Sequence, residues 1–234
     1  MRKTINTLPL QLIAVALFFC LPVAAQKGKR APQKRPAGGV VVGEVIREPD
    51  AGQVVGSTYT NAFFGLQLTI PEGWRVADEA ATRQIDQQGA DLIAGDSEEK
   101  RAQLKAAASK TSNLLTMGKV ISVGGATESA VLIFGAEAVP VWLIKTPQEY
   151  IGQARRLLQT SAMPVKVEEG TRSETIGGVE FSVLDVSSEQ PGGIVRQHYY
   201  ATLRKGYALF IISTFASNQG TEAIGEVLKS VKFK

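Results

Sequence analysis

Every residue of Ala208-Leu209-Phe210-Ile211-Ile212 is apolar. A run this short, bounded by Lys205-Gly206 and by Ser213-Thr214, reads as a strand rather than a helix. A strand that is apolar on both faces must be covered on both faces. The chain therefore needs a sheet with a packed layer on each side. Val183, Leu184 and Val186 make the same demand. Strands are expected at 165–169, 171–176, 179–187, 194–203 and 207–215. They read as a meander with turns at Gly177-Gly178 and Lys205-Gly206.

Upstream, Phe64, Leu66, Leu68 and Ile70 alternate with Gly65, Gln67 and Thr69, so 63–70 reads as a half-buried strand. Pro71-Glu72-Gly73 is a turn. Trp74 to Val76 returns as a short strand, with Trp74 in the core. Residues 78–112 are rich in Ala, Gln, Glu, Lys and Arg. They read as two helices divided at Gly95-Asp96, with Asp96 as the second cap and Glu99 at its capping-box position. Strands are expected at 113–117 and 130–136, with a turn at Gly124-Gly125. Thr146-Pro147-Gln148-Glu149 is a helix start, and Tyr150, Ile151, Ala154, Leu157 and Leu158 form its apolar stripe. A last helix after Ser217-Asn218 buries Ala223, Ile224, Val227, Leu228 and Val231. The expected fold class is α+β, with a single antiparallel β-sheet flanked by helices on both faces.

The N-terminus addresses location. Arg2 and Lys3 precede an apolar run from Leu8 to Leu21, then Pro22 and the small residues Val23-Ala24-Ala25. This is the layout of a secretory signal peptide cut after Ala25. Two other readings are a retained anchor, for which the run is short, and a lipoprotein acylated on Cys20. Cys20 is the only cysteine, so a cleaved chain has no disulfide and no thiolate chemistry. The expected location is periplasmic or extracellular.

Charge is uneven along the chain. Residues 1–57 hold eight bases against three acids, whereas the remainder is nearly neutral. The excess sits in Lys27, Lys29, Arg30, Lys34 and Arg35, among Pro and Gly. Such a composition reads as a solvated linker over 26–57. Its alternative role is a weak contact with an anionic membrane surface or cell-wall polymer. Residues 40–57 are expected to be loose, with order beginning near Tyr59. The folded part has no basic stripe interleaved with aromatics, so nucleic acid is not an expected partner.

Few chemistries survive inspection. His198 is the only histidine, and zinc sites use several His or Cys ligands; no metal, cofactor or catalytic set is expected. Ser97-Glu98-Glu99-Lys100 matches a Ser-x-x-Lys nucleophile motif, but its partner motifs are missing and a helix start explains it. Arg196, His198 and Tyr200 alternate onto one strand face, where they could form a polar binding patch. The bland reading of His198 is an edge or solvent-facing position.

The segments Tyr59-Thr60-Asn61-Ala62-Phe63-Phe64-Gly65 and Ile70-Pro71-Glu72-Gly73-Trp74 open a distinctive pattern. Thr146-Pro147-Gln148-Glu149-Tyr150, Gly177-Gly178-Val179-Glu180-Phe181 and Gln197-His198-Tyr199-Tyr200-Ala201-Thr202 continue it. Lys205-Gly206-Tyr207-Ala208 and Ser230-Val231-Lys232-Phe233 close it. Over residues 58–234 the chain resembles the PsbP-like superfamily, in its exported bacterial branch. The resemblance implies an α-β-α sandwich and accessory or binding roles. The 78–112 segment looks like an elaboration on that pattern.

The division expected is a signal peptide at 1–25, a linker at 26–57 and a PsbP-like domain at 58–234. The expected function is an exported, non-catalytic binding or accessory protein of the cell envelope. Its partner would be an envelope protein or polymer of unknown identity. The rivals are a cryptic hydrolase using His198, and an envelope module acting through its basic tail.

Overall fold

The computed structural model describes residues 49–108, 110–123, 126–140 and 142–234. The leader, Cys20, the cut after Ala25, the basic residues Lys27, Lys29, Arg30, Lys34 and Arg35, and Gly124-Gly125 lie outside the described residues.

β1 (Gln53–Val55), β2 (Thr58–Asn61) and β3 (Leu66–Thr69) pair antiparallel in succession. Tyr59, Asn61, Leu66 and Leu68 are buried and their neighbours are not, as a half-buried strand requires. β1 is a departure, because 40–57 was expected to be loose. Asp50 organises it: its side chain accepts the Gly52 amide at 2.7 Å and the Phe63 amide at 3.2 Å. Asn61 Nδ2 donates to the Asp50 carbonyl at 2.6 Å. These local polar bonds leave no hydrophobic period in the sequence.

β4 (Trp74–Val76) follows the expected turn. Trp74 is buried, but its Nε1 has no hydrogen-bond partner among the described residues. α1 (Glu79–Ala94) starts at Asp78, whose side chain accepts the Ala81 amide at 2.8 Å. α2 (Glu98–Ala108) starts at Ser97, not at Asp96. Ser97 Oγ accepts the Lys100 amide at 3.3 Å and its carbonyl accepts the Arg101 amide at 3.0 Å. Lys100 therefore stands where Glu99 was expected to close a capping box.

β5 (Thr111–Val123) and β6 (Ala126–Ala138) form one long hairpin, well beyond the expected 113–117 and 130–136. Its outer end carries exposed Val120, Ser122 and Thr127, so no alternation marks it. α3 (Pro147–Gln159) opens with the expected capping box: Glu149 N donates to Thr146 Oγ1 and Thr146 N to Glu149 Oε2. Then come β7 (Val165–Val167), β8 (Arg172–Ile176), β9 (Val179–Gln190), β10 (Gly193–Arg204), β11 (Tyr207–Phe215), α4 (Asn218–Ser230) and β12 (Lys232–Phe233). β8, β9, β10 and β11 pair in succession as the expected meander, with Gly177-Gly178 turning β8 into β9, whereas β7 departs from it and pairs with β9 at 186–188.

The expectation of a single sheet is corrected. The described residues form two antiparallel sheets: four strands in the order β1-β2-β3-β12, and eight in which β4-β5-β6-β11-β10-β9-β7 run side by side with β8 also on β9. The Pro71-Glu72-Gly73 turn carries the chain out of the small sheet, and β12 returns to pair with β3. One apolar layer joins Tyr59, Phe64 and Leu68 of the small-sheet region to α4 and to Phe134, Val183, Tyr200 and Ile211. The other joins Ile93, Leu104, Tyr150, Ile151 and Leu158 of α1–α3 to Ile133, Leu184, Tyr199, Phe210 and Ile212. β11 is thus buried at every position, as its opening pentad requires. Among the described residues no helix is long and apolar enough to cross a membrane.

Candidate functional site

β10 lies between β9 and β11, so His198 is not on an edge strand. The antiparallel register sets His198 directly across from Asp185 on β9 and Ser213 on β11. Tyr200, two residues on, shares its face and faces Val183, which is paired in turn with Arg172 of β8. Side chains from three strands therefore converge on one imidazole.

His198 Nε2 lies 3.6 Å from Asp185 Oδ1, and Nδ1 lies 3.2 Å from the Tyr200 hydroxyl. The pair of contacts fits a neutral ring with Nε2–H towards the carboxylate and Nδ1 accepting the Tyr200 O–H. Phe215 closes the ring's flank edge-on, at 5.0 Å between centroids. Asp185 also accepts two bonds from Arg172, at 3.0 and 3.3 Å. Arg172 bonds Glu174 Oε2 at 2.5 Å and stands 5.9 Å over the Tyr200 ring.

Burial decides the electrostatics. It lowers the His198 pKa below its ordinary value; Asp185 pulls it up, and Arg172 pushes it down again. Burial, helped by Glu174, pushes the Tyr200 phenol up to about 12. Burial alone would lower the Arg172 pKa, but hydrogen bonds to Asp185 and Glu174 outweigh it and raise the pKa. At neutral pH the site is a neutral imidazole and phenol beside a clamped guanidinium and two carboxylates.

Of the three residues that alternation selects, the network joins His198 and Tyr200. Tyr200 is buried and His198 keeps 23 % of its side-chain surface exposed. Arg196 is exposed and takes no part in those bonds, though its charge still acts on His198. It lines a groove of about 520 Å³ with Pro164, Lys166, Glu168, Ser188 and Ile194. Sequence reasoning missed Arg172, Glu174 and Asp185. Their signal was Asp185 itself, a lone carboxylate inside the apolar run Phe181–Val186.

The arrangement is a poor nucleophile site. A serine nucleophile needs a hydrogen bond to its base. Ser213 is fully buried and makes no hydrogen bond to the imidazole, whose nitrogens face Asp185 and Tyr200. Ser97, the other serine singled out by motif, is occupied in capping α2. Among the described residues no three His, Cys, Asp or Glu side chains are placed to hold a metal.

No protein-family model and no curated protein matches the chain. Distant likenesses occur among solved structures. A Bacteroides thetaiotaomicron protein is 8% identical at a TM-score of 0.43, covering 76% of this chain and 48% of that one. This chain thus spans about half of that protein's length. LpqN of Mycobacterium tuberculosis, described as involved in cell envelope biogenesis, is 14% identical at a TM-score of 0.40, covering 79% and 88%. A cyanobacterial PsbP from Synechocystis is 11% identical at a TM-score of 0.41, covering 86% of this chain and 98% of that one.

Proposed function

We propose that the chain is an exported, non-catalytic binding protein of the cell envelope, with residues 58–234 as its PsbP-like binding domain. The partner docks on the face of Arg196, His198 and Tyr200 and in the groove beside Arg196. The observation that carries this reading is the mutual engagement of His198, Tyr200, Asp185 and Arg172. Each is held by another member of the set, so the surface is a fixed pattern of donors and acceptors rather than a poised reactive group. Exposed Arg196 extends that pattern into the groove.

The leader supports export, with cleavage after Ala25, and the basic tail is a linker that ends before Asp50, where the small sheet begins. Lys27, Lys29, Arg30, Lys34 and Arg35 add a weak attraction to anionic surfaces. The test places a photo-crosslinking residue at position 196 and, as control, at Gln103 on α2, in cells of the source organism. A discrete adduct from position 196 alone, lost in Arg172→Ala, is expected. Equal adducts from both positions, or none from 196, overturn the binding site. N-terminal sequencing of the extracytoplasmic protein should begin at Gln26; an intact leader in the cytosol overturns export.

A further inference from the structure

We propose that the end of the molecule carrying Trp142 and Leu143 docks on an anionic lipid surface. The observation is an apolar tip where burial would be expected. Trp142 is 69% exposed and Leu143 39%. The tip is held in place: the Leu143 and Ile144 amides both donate to the Pro140 carbonyl, at 2.8 and 3.0 Å. Ile144, next in sequence, is buried against α3 and the large sheet. A large aromatic with one polar N–H, presented on a fixed turn, matches the chemistry of the interface between water and lipid.

Charge complementarity selects the occupant. Lys145 follows the tip and is exposed. Val139, at the base of the turn, donates to the Gly206 carbonyl, which brings exposed Lys205 to the same end. The nearby acids are engaged within the fold: Glu149 accepts the Lys145 and Thr146 amides, and buried Glu137 accepts the Tyr150 hydroxyl. The chain also enters the domain here. Lys205 Nζ donates to the Phe63 carbonyl at 2.5 Å, and the Phe63 amide donates to Asp50.

The protein in its naturally processed form supplies the test, with the same N-terminal segment in every variant. Trp74 and Trp142 are the two tryptophans. Trp74→Phe removes an N–H that has no partner among the described residues and leaves Trp142 as the only reporter. Vesicles of equal phosphatidylglycerol and phosphatidylcholine should blue-shift its fluorescence, and brominated lipid should quench it. Pure phosphatidylcholine should bind far less. Trp142→Ala with Leu143→Ser should weaken binding about tenfold or more, and Lys145→Ala about fivefold at low salt. Both changes lie on exposed residues, so circular dichroism should stay unaltered. The proposal is overturned if Trp142 fluorescence ignores anionic vesicles, or if the double variant binds them as tightly as its parent. Trapping of a protein by a crosslinking residue at position 142, in place of lipid, also overturns it.

Discussion

The Phe210 ring lies on Gly135 across the β6–β11 pair, so close that a Cβ on Gly135 would stand 2.3 Å from its Cζ. The glycine is the socket for an aromatic at the centre of the α1–α3 layer.

Gly135→Ala must displace that ring from a close-packed interior. The expected cost is about 1–3 kcal/mol. Phe210→Leu should restore part of it in the double variant, which two denaturation midpoints and their cycle would check.

Asp86 on α1 is half-buried, and its Oδ1 has no hydrogen-bond partner among the described residues. Burial raises its pKa from 3.8 to about 6. The folded state then favours the neutral acid, so its penalty is full above about pH 6 and absent below 3.8. Asp86→Asn should stabilise the protein by about 1–2 kcal/mol at neutral pH, allowing for partial solvent screening. The gain should vanish near pH 3.5 in urea titrations; an equal gain at both values would reject the account.

His198 has the opposite linkage from a histidine that gains a partner. Its folded pKa lies below the ordinary 6.5 because burial disfavours the cation. Its contribution is intact above pH 6.5 and is lost as the pH falls towards the folded value. The stability difference between the parent and His198→Gln should therefore shrink on acidification through that window. Nuclear magnetic resonance of the single imidazole should place its titration midpoint below 6.5. A pKa above 6.5 would sink this prediction.

Arg204 bolts the two sheets together. From β10 it donates to the Phe64 carbonyl at 3.0 Å and the Lys234 carbonyl at 2.8 Å, and stacks 5.2 Å over Phe233. Arg204→Met keeps an apolar stem and removes the donors. We expect about 1–3 kcal/mol of destabilisation. Amide exchange should rise first at Leu66 and Phe233, before the large sheet opens.

The elements were legible where apolar spacing carried them. Ala208–Ile212 announced the buried strand, and Thr146 to Glu149 announced the helix that follows. Pairing was not legible: nothing in Arg172 or Asp185 alone says that β8 and β9 will place them in contact. The small sheet escaped for a similar reason, since its β1 is set by Asp50 and its β12 by pairing with a strand far away in sequence. Ser97 displaced Asp96 as a cap because both residue types serve, and the turn at Gly95 decides between them. In the candidate site, alternation picked out the face of His198 and Tyr200, while their charged partners needed the register.

The small sheet draws its strands from opposite ends of the described chain, because Phe233 pairs with Leu66. The clasp cannot form until Phe233 has left the ribosome, long after Leu66, and until then Leu66 lacks its partner across the seam. Folding should therefore show a slow closing phase governed by loop closure, leaving the nascent chain pliable for the duration of its synthesis.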